Sequence, residues 1–142
     1  MKILLSGICG HMGKEVAALA ESGKYDCRIT AGVDINASEC TTIPCAASFA
    51  DADTDVDLIM DFSHHSLTKE LLAFAVKNGL PLVLATTGQT EEEKQAILAA
   101  SEKIPVFFAA NYSLGIALLI ELAKKAALAM PDAEIEIIET HH

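Results

Sequence analysis

Three glycines stand at every third position in Gly7-Ile8-Cys9-Gly10-His11-Met12-Gly13, directly after the apolar run Lys2–Ser6 and at the start of a stretch of helical period. A turn of this kind leaves backbone N–H groups at the positive end of a helix, where a diphosphate is held without side-chain cations. Gly7 permits the tight exit from a strand, Gly10 lets the backbone approach the anion, and Gly13 lets the helix lie close to the sheet. The spacing is one residue longer than the common G-x-G-x-x-G form, so context carries it. Asp34 closes the next apolar run, 21 residues after Gly13, where a carboxylate accepts both hydroxyls of an adenosine ribose. The pair predicts a dinucleotide site, against the plain alternative of a Gly-rich turn with an unrelated acid. A carboxylate also repels a 2′-phosphate, and no Lys or Arg occurs between Arg28 and Lys69. The expected cofactor is therefore NADH in preference to NADPH.

Three further segments follow strand-length apolar runs. Asp61-Phe62-Ser63-His64-His65 reads as a loop at the nicotinamide-ribose end, with Ser63 either touching the cofactor or capping the next helix. Adjacent His side chains diverge and no third ligand is spaced for zinc, so the expectation is no metal and two exposed helix-entry residues. Ala85-Thr86-Thr87-Gly88 offers backbone and hydroxyl groups at cofactor height. Ala109-Ala110-Asn111-Tyr112-Ser113 brings an amide, an aromatic ring and a hydroxyl before the last helix, with Ser113 as N-cap and Tyr112 as packing for the bland reading.

The elements that position these residues follow from periodicity. Strands are expected at Lys2–Ser6, Arg28–Val33, Asp57–Asp61, Pro81–Ala85 and Pro105–Ala109, with a short one near Cys45. Helices are expected with Met12, Val16, Leu19 and Ala20 on one face, then with Leu67, Leu71, Phe74 and Ala75 up to Gly79, then after a Thr90…Glu93 capping box, and last from Leu114 to Met130. Glu134–Glu139 alternates acid and Ile as a half-exposed strand. Strands apolar throughout and separated by helices imply an α/β, Rossmann-type, doubly wound parallel sheet, which binds ligands beyond the carboxyl ends of its strands.

The whole chain has 142 residues, 51% of them hydrophobic, enough for a buried core and too apolar for disorder. The 17-residue stretch Leu114 to Met130 contains Glu121, Lys124 and Lys125, so no membrane span is expected. A net charge of −10 with no basic cluster beyond Lys124-Lys125 argues against nucleic acid. Four cysteines without a C-x-x-C pair read as reduced thiols of a cytoplasmic protein.

The segments Gly-x-x-Gly-His-Met-Gly, Asp61-Phe62-Ser63, Ala-Thr-Thr-Gly, Ala-Asn-Tyr-Ser-Leu-Gly and Ile-Ile-Glu-Thr-His-His resemble, in order and approximate spacing, the dihydrodipicolinate reductases of lysine biosynthesis. The resemblance implies a nicotinamide-dependent reductase with a dinucleotide-binding domain at 1–112 and, at 113–142, a hinge helix and the first strand of a substrate and oligomerisation domain. It implies that Gly7, Ile8, Cys9, Gly10, His11, Met12 and Gly13, with Asp34, Phe62, Ser63, Ala85, Thr86, Thr87, Ala109, Ala110, Asn111 and Tyr112, surround the cofactor. The family's E-x-H-H-x-x-K segment falls on Glu139 to His142, which makes His141 the acid/base residue and His142 a substrate contact; the pair also fits the start of a purification tag. The implied chemistry is hydride transfer to an unsaturated dicarboxylate ring. His11 stands where the family usually has Arg, and Ala85 where it has Gly. The chain stops before the family's Lys and Ser-Gly-Thr loop, so it is expected to bind cofactor and to turn over little substrate. The other readings are the cofactor domain of a different NAD-dependent dehydrogenase, or a non-catalytic nucleotide-binding module. The family's tetramer and the apolar surface around Leu118, Leu119 and Leu122 imply a homo-oligomer, or a final segment that folds back.

Overall fold

Leu4 and Leu5 are neighbours in β1 (Lys2–Ser6), so they point to opposite faces, and both are 0% exposed. A strand covered on both sides belongs in the middle of a parallel sheet. The computed structural model, which describes residues 1–40, 42–109 and 111–138, places it there. The remaining strands are β2 (Arg28–Val33), β3 (Cys45–Ala46), β4 (Leu58–Asp61), β5 (Leu82–Leu84) and β6 (Val106–Phe108). All pair in parallel in the order β3-β2-β1-β4-β5-β6.

Register lines up one face of the core: Leu4 lies opposite Ala31 and Ile59, and Ile59 opposite Leu82. Leu71 and Ala75 of α2 (Thr68–Asn78) and Ile97 and Ala100 of α3 (Glu91–Ser101) join these residues in one cluster. On the other face Leu5 lies opposite Gly32, and a Cβ on Gly32 would meet Ile8 Cγ2 at 3.0 Å. Sequence and structure agree on where helices stop and start. Gly79 ends α2 at φ +66°, and Thr90 and Glu93 form the expected capping box of α3.

α1 (His11–Glu21) departs from expectation in its facing. Met12 and Leu19 are about half exposed, at 52% and 51%, while Gly13 is buried and Val16, Ala17 and Ala20 are half-buried. The close contact of Gly13 with the β1 exit seats the helix one residue further round than the apolar stripe suggests.

The chain divides into two compact units, Met1–Ala110 and Asn111–His142. The second holds α4 (Leu114–Ala129), which Ser113 caps by accepting the Ile116 amide at 3.3 Å. Leu118, Leu119 and Leu122 of α4 are 58%, 61% and 52% exposed. Residues 134–138 take part in no strand pairing, which corrects the strand expected over Glu134–Glu139: alternation makes a strand only where a neighbouring strand supplies the ladder. Among the described residues no helix is long and apolar enough to cross a membrane.

Candidate functional site

β1 pairs with β2 on one side and β4 on the other, so the segments leaving β1 and β4 diverge at the carboxyl edge and open a crevice there. The glycine turn fills its floor. Gly7 has φ +77°, a conformation that disfavours any side chain, and a Cβ on it would lie 2.6 Å from the Phe62 carbonyl oxygen. A Cβ on Gly13 would lie 2.2 Å from the Gly7 carbonyl oxygen. The turn and helix can thus approach β4 and β1 only as glycines. Gly10 is the N-cap of α1; no side chain caps it and no acid occupies the first turn. Among the described residues, amides at the start of α1 therefore have no side-chain acceptor, unlike those of α3 and α4, which Thr90 and Ser113 close.

Asp34 follows β2 and faces this turn. Its Oδ2 accepts the Cys9 amide and its Oδ1 the Asn36 amide, each at 2.9 Å. Two backbone bonds fix the carboxylate while leaving lone pairs for a diol. Burial first, and then the Asp34 charge, raise the Cys9 thiol above its ordinary value. Cys9 is therefore neutral near pH 7, neither a nucleophile nor a charge opposing a bound diphosphate.

A cleft of ≈ 470 Å³ brings Gly7, Cys9, Gly10, Asp34, Phe62 and Ser63 together. It also takes in Ser48, Phe49, Leu67 and Glu70, which sequence reasoning missed. Ser48 and Phe49 come just after the two-residue β3, so a firm reading of that short strand would have pointed to them. The lining includes the acids Asp34 and Glu70 and, among the described residues, neither Lys nor Arg. A second cavity of ≈ 410 Å³ lies beside α1 and β2; Lys14, Arg28, Glu21 and Glu39 line it and balance in charge.

The other expected site residues are placed as follows. Ile8 is buried, so only its backbone faces the turn, while His11 is exposed. Ala85 continues β5, its amide on the Asp61 carbonyl at 3.0 Å. Thr86 is buried with its hydroxyl on Asp61 Oδ2, so that hydroxyl is already committed, and Thr87 is exposed. Ser63 caps no helix: its hydroxyl donates to Asp61 Oδ1 at 2.6 Å, and His64 instead caps the next turn, its Nδ1 accepting the Ser66 amide at 3.3 Å. His64 is exposed as expected, but His65 is half-buried against Glu93. Asp61, 1% exposed, thus ties the loop after β4 to the loop after β5, a role the sequence reading did not assign. Ala109 follows β6 in the first unit, whereas Asn111 and Tyr112 open the second. There the Asn111 side chain accepts the Ser113 amide at 2.9 Å. Ala110, Glu139, Thr140, His141 and His142 lie outside the described residues. Among the described residues no group of three or more His, Cys, Asp or Glu is arranged for a metal.

A parallel sheet in this order, with a glycine turn at the exit of its first strand and a carboxylate closing its second, defines a Rossmann-type nucleotide-binding domain. The family model described as dihydrodipicolinate reductase, N-terminus, matches residues 1–112. The chain belongs to that family. It is 39% identical over 142 residues to the 4-hydroxy-tetrahydrodipicolinate reductase of Caldanaerobacter subterraneus and 37% over 143 residues to that of Clostridium perfringens strain SM101. In each case all of this chain aligns with 56% of the relative, so it spans about half the length of these curated proteins. Among solved structures, a dipicolinate-bound dihydrodipicolinate reductase from Paenisporosarcina superposes with a TM-score of 0.73 at 21% identity, covering 93% of this chain and 55% of that one. An Agrobacterium radiobacter oxidoreductase in complex with NAD+, L-tartaric acid and magnesium gives 0.68 at 17% identity, covering 89% and 41%. At these identities the two structures speak for the fold.

Proposed function

We propose that this chain is the cofactor-binding part of a cytoplasmic 4-hydroxy-tetrahydrodipicolinate reductase that uses NADH in preference to NADPH. The observation that carries the reading is the uncapped start of α1, flanked by Gly7 and Gly13, neither of which a side chain could replace without clash, with the Asp34 carboxylate fixed beside it. That cradle suits a diphosphate joined to an adenosine ribose. Amides of Gly7 to Gly13 hold the diphosphate, Asp34 accepts the ribose hydroxyls, and Phe62 and Ser63 line the same cleft. Ala85, Thr86, Thr87, Ala109, Ala110, Asn111 and Tyr112 serve the nicotinamide end, with Thr86 contributing backbone because Asp61 takes its hydroxyl. The bound cofactor supplies a hydride for an unsaturated ring dicarboxylate. His141 delivers the proton and His142 holds the substrate. Two acids and, among the described residues, neither Lys nor Arg along the cleft support NADH, since a 2′-phosphate would meet charge of its own sign. The exposed leucines of α4 support assembly into a homo-oligomer, a tetramer in the whole protein.

Calorimetric titration of this chain tests the cofactor reading. NADH should bind saturably, and NADPH about tenfold more weakly or worse, a difference of ~1.4 kcal/mol. Failure of both NADH and NAD+ to bind at millimolar concentration would overturn it. For the reaction, the full-length protein should oxidise NADH only when the dicarboxylate intermediate is present.

A further inference from the structure

We propose that His65 is a positioning residue for the cofactor: through Glu93 it sets the loop after β5 against the loop after β4, and its protonation tightens cofactor binding. The inference rests on the cofactor reading above.

His65 Nδ1 lies 3.3 and 3.2 Å from the two carboxylate oxygens of Glu93. Glu93 is only 8% exposed and is built into the start of α3. Its Oε2 accepts the Thr90 amide at 2.7 Å, and its own amide donates to the Thr90 hydroxyl at 3.2 Å. The carboxylate cannot leave His65 without opening the helix cap. A second tie joins the same two loops, where Thr86 and Ser63 both donate to Asp61. Between the ties runs the segment Thr86 to Thr90, pinned inside by Gln89 Nε2 on the Thr86 carbonyl at 2.7 Å. Gly88, at φ +87°, backs directly onto the His65 ring: a Cβ there would meet Cδ2 at 3.5 Å. The imidazole thus braces the underside of a stretch in which Thr87 and Gly88 face solvent.

The other titratable groups on the elements packed here are His64 and Asp61, Lys69, Glu70 and Lys77 of α2, and Glu91, Glu92 and Lys94 of α3. Glu91 pairs with Lys94 at 2.7 Å, and Glu70 accepts the Phe49 amide at 3.3 Å. The His64 ring centroid is 4.4 Å from that of His65, Asp61 is occupied by Ser63 and Thr86, and Glu92 pairs with Lys69 at 2.8 Å. The Thr90 amide foremost, and then His65, hold the Glu93 carboxyl below its ordinary range, so it is charged at neutral pH. Histidine is the side chain that changes charge between about pH 5 and 8. A protonated ring makes a charge-assisted bond to Glu93 that a neutral ring does not. Lower pH therefore firms the loop, and by reciprocity bound cofactor raises the proton affinity of His65.

The test is NADH titration of this chain at about pH 6 and about pH 8, with NMR titration of the His65 imidazole with and without NADH. Wild type should bind about threefold to tenfold more tightly at the lower pH. NADH should move the His65 titration to higher pH. His65→Gln and Glu93→Gln should bind weakly at both pH values; Gln at 93 retains the capping oxygen and removes the charge. Glu93→Gln binding more tightly at low pH as wild type does would show direct attraction between imidazolium and diphosphate, overturning the positioning role. Equal affinity at both pH values, with a His65 titration indifferent to NADH, overturns the inference and leaves the cofactor reading standing. No NADH binding by wild type overturns both. The NMR measurement decides the matter in wild-type protein even where a variant fails to fold.

Discussion

Gly13→Ala asks whether α1 is seated by the absence of a side chain. The new Cβ would lie 2.2 Å from the Gly7 carbonyl oxygen, 2.7 Å from Ile8 Cα and 2.8 Å from the Ile8 carbonyl carbon. All three are backbone atoms, so no rotamer change relieves the overlap; either α1 lifts from β1 or the turn deforms. Overfilling a packed site costs about 1–3 kcal/mol, and a clash with backbone belongs at the upper end, about 3 kcal/mol. At ~4 °C per kcal/mol for a domain near ~100 residues, the unfolding midpoint should fall by about 12 °C. Gly10→Ala is the internal comparison. Gly10 sits at φ −71° and ψ 170°, where alanine is at ease, and its Cβ would meet only the Gly7 oxygen, at 3.2 Å. Its cost should stay within about 1 kcal/mol, while the added methyl narrows the approach to the α1 amides and weakens NADH about tenfold. Thermal unfolding followed by circular dichroism reads the first quantity, and quenching of NADH fluorescence the second. A Gly13→Ala midpoint within about 2 °C of wild type would refute the close-packing argument. Undiminished NADH affinity in Gly10→Ala would refute the cradle.

Three other outcomes follow from charges and their neighbours. Asp34→Ala strands the Cys9 and Asn36 amides and removes the acceptor for a diol; stability should fall by about 1–3 kcal/mol in urea titration, and NADH should lose its advantage over NADPH. The Glu93 carboxyl is held low, chiefly by the Thr90 amide. The unfolded chain therefore takes up that proton first as pH falls, and stability present above about pH 5 is lost below it. Glu93→Gln should flatten this acid limb, and an unchanged limb would contradict the assignment. Burial above all, then the neighbouring Cys40 and Cys9 thiols, push Cys45 up to about 12. The unfolded thiol ionises first, so stability declines as pH rises above about 8.5. Cys45→Ala should show a shallower decline between about pH 9 and 11 in denaturant titrations, and an equal slope would argue against the assignment.

Much of this architecture is legible because the strands at its centre are buried on both faces. Lys2–Ser6 and Arg28–Val33 are read to the residue, since the apolar residues Ile3–Leu5 and Ala31–Val33 run up to the turn signals at Gly7 and Asp34 and leave few other interpretations. Caps are legible for a similar reason: Thr90 with Glu93, Ser113 and Gly79 each satisfy or free a specific backbone group. The facing of α1 is not legible from its apolar residues, because a clash avoided at Gly13 outweighs the stripe of Met12 and Leu19. Nor is the site's polar wiring. That Thr86 and Ser63 both turn to Asp61, and that His65 finds Glu93 28 residues away, depends on loops meeting across the sheet edge. No local pattern encodes such a meeting. Residues 134–138 show the converse, a strand-like alternation that lacks the neighbour needed to make it one.

The strand order also has a consequence for synthesis. Among the described strands β1 is made first yet occupies the middle, and its partners are residues 28–33 on one flank and 58–61 on the other. Its apolar side chains have no lasting shelter until both have emerged, and β5 and β6 must follow before the far edge closes. The nascent chain therefore carries an unsatisfied central strand through much of its elongation, in the long-range topology that folds slowly and tempts aggregation. Chaperone demand should peak while lengths shorter than Asp61 are exposed, and ease once that residue clears the exit tunnel.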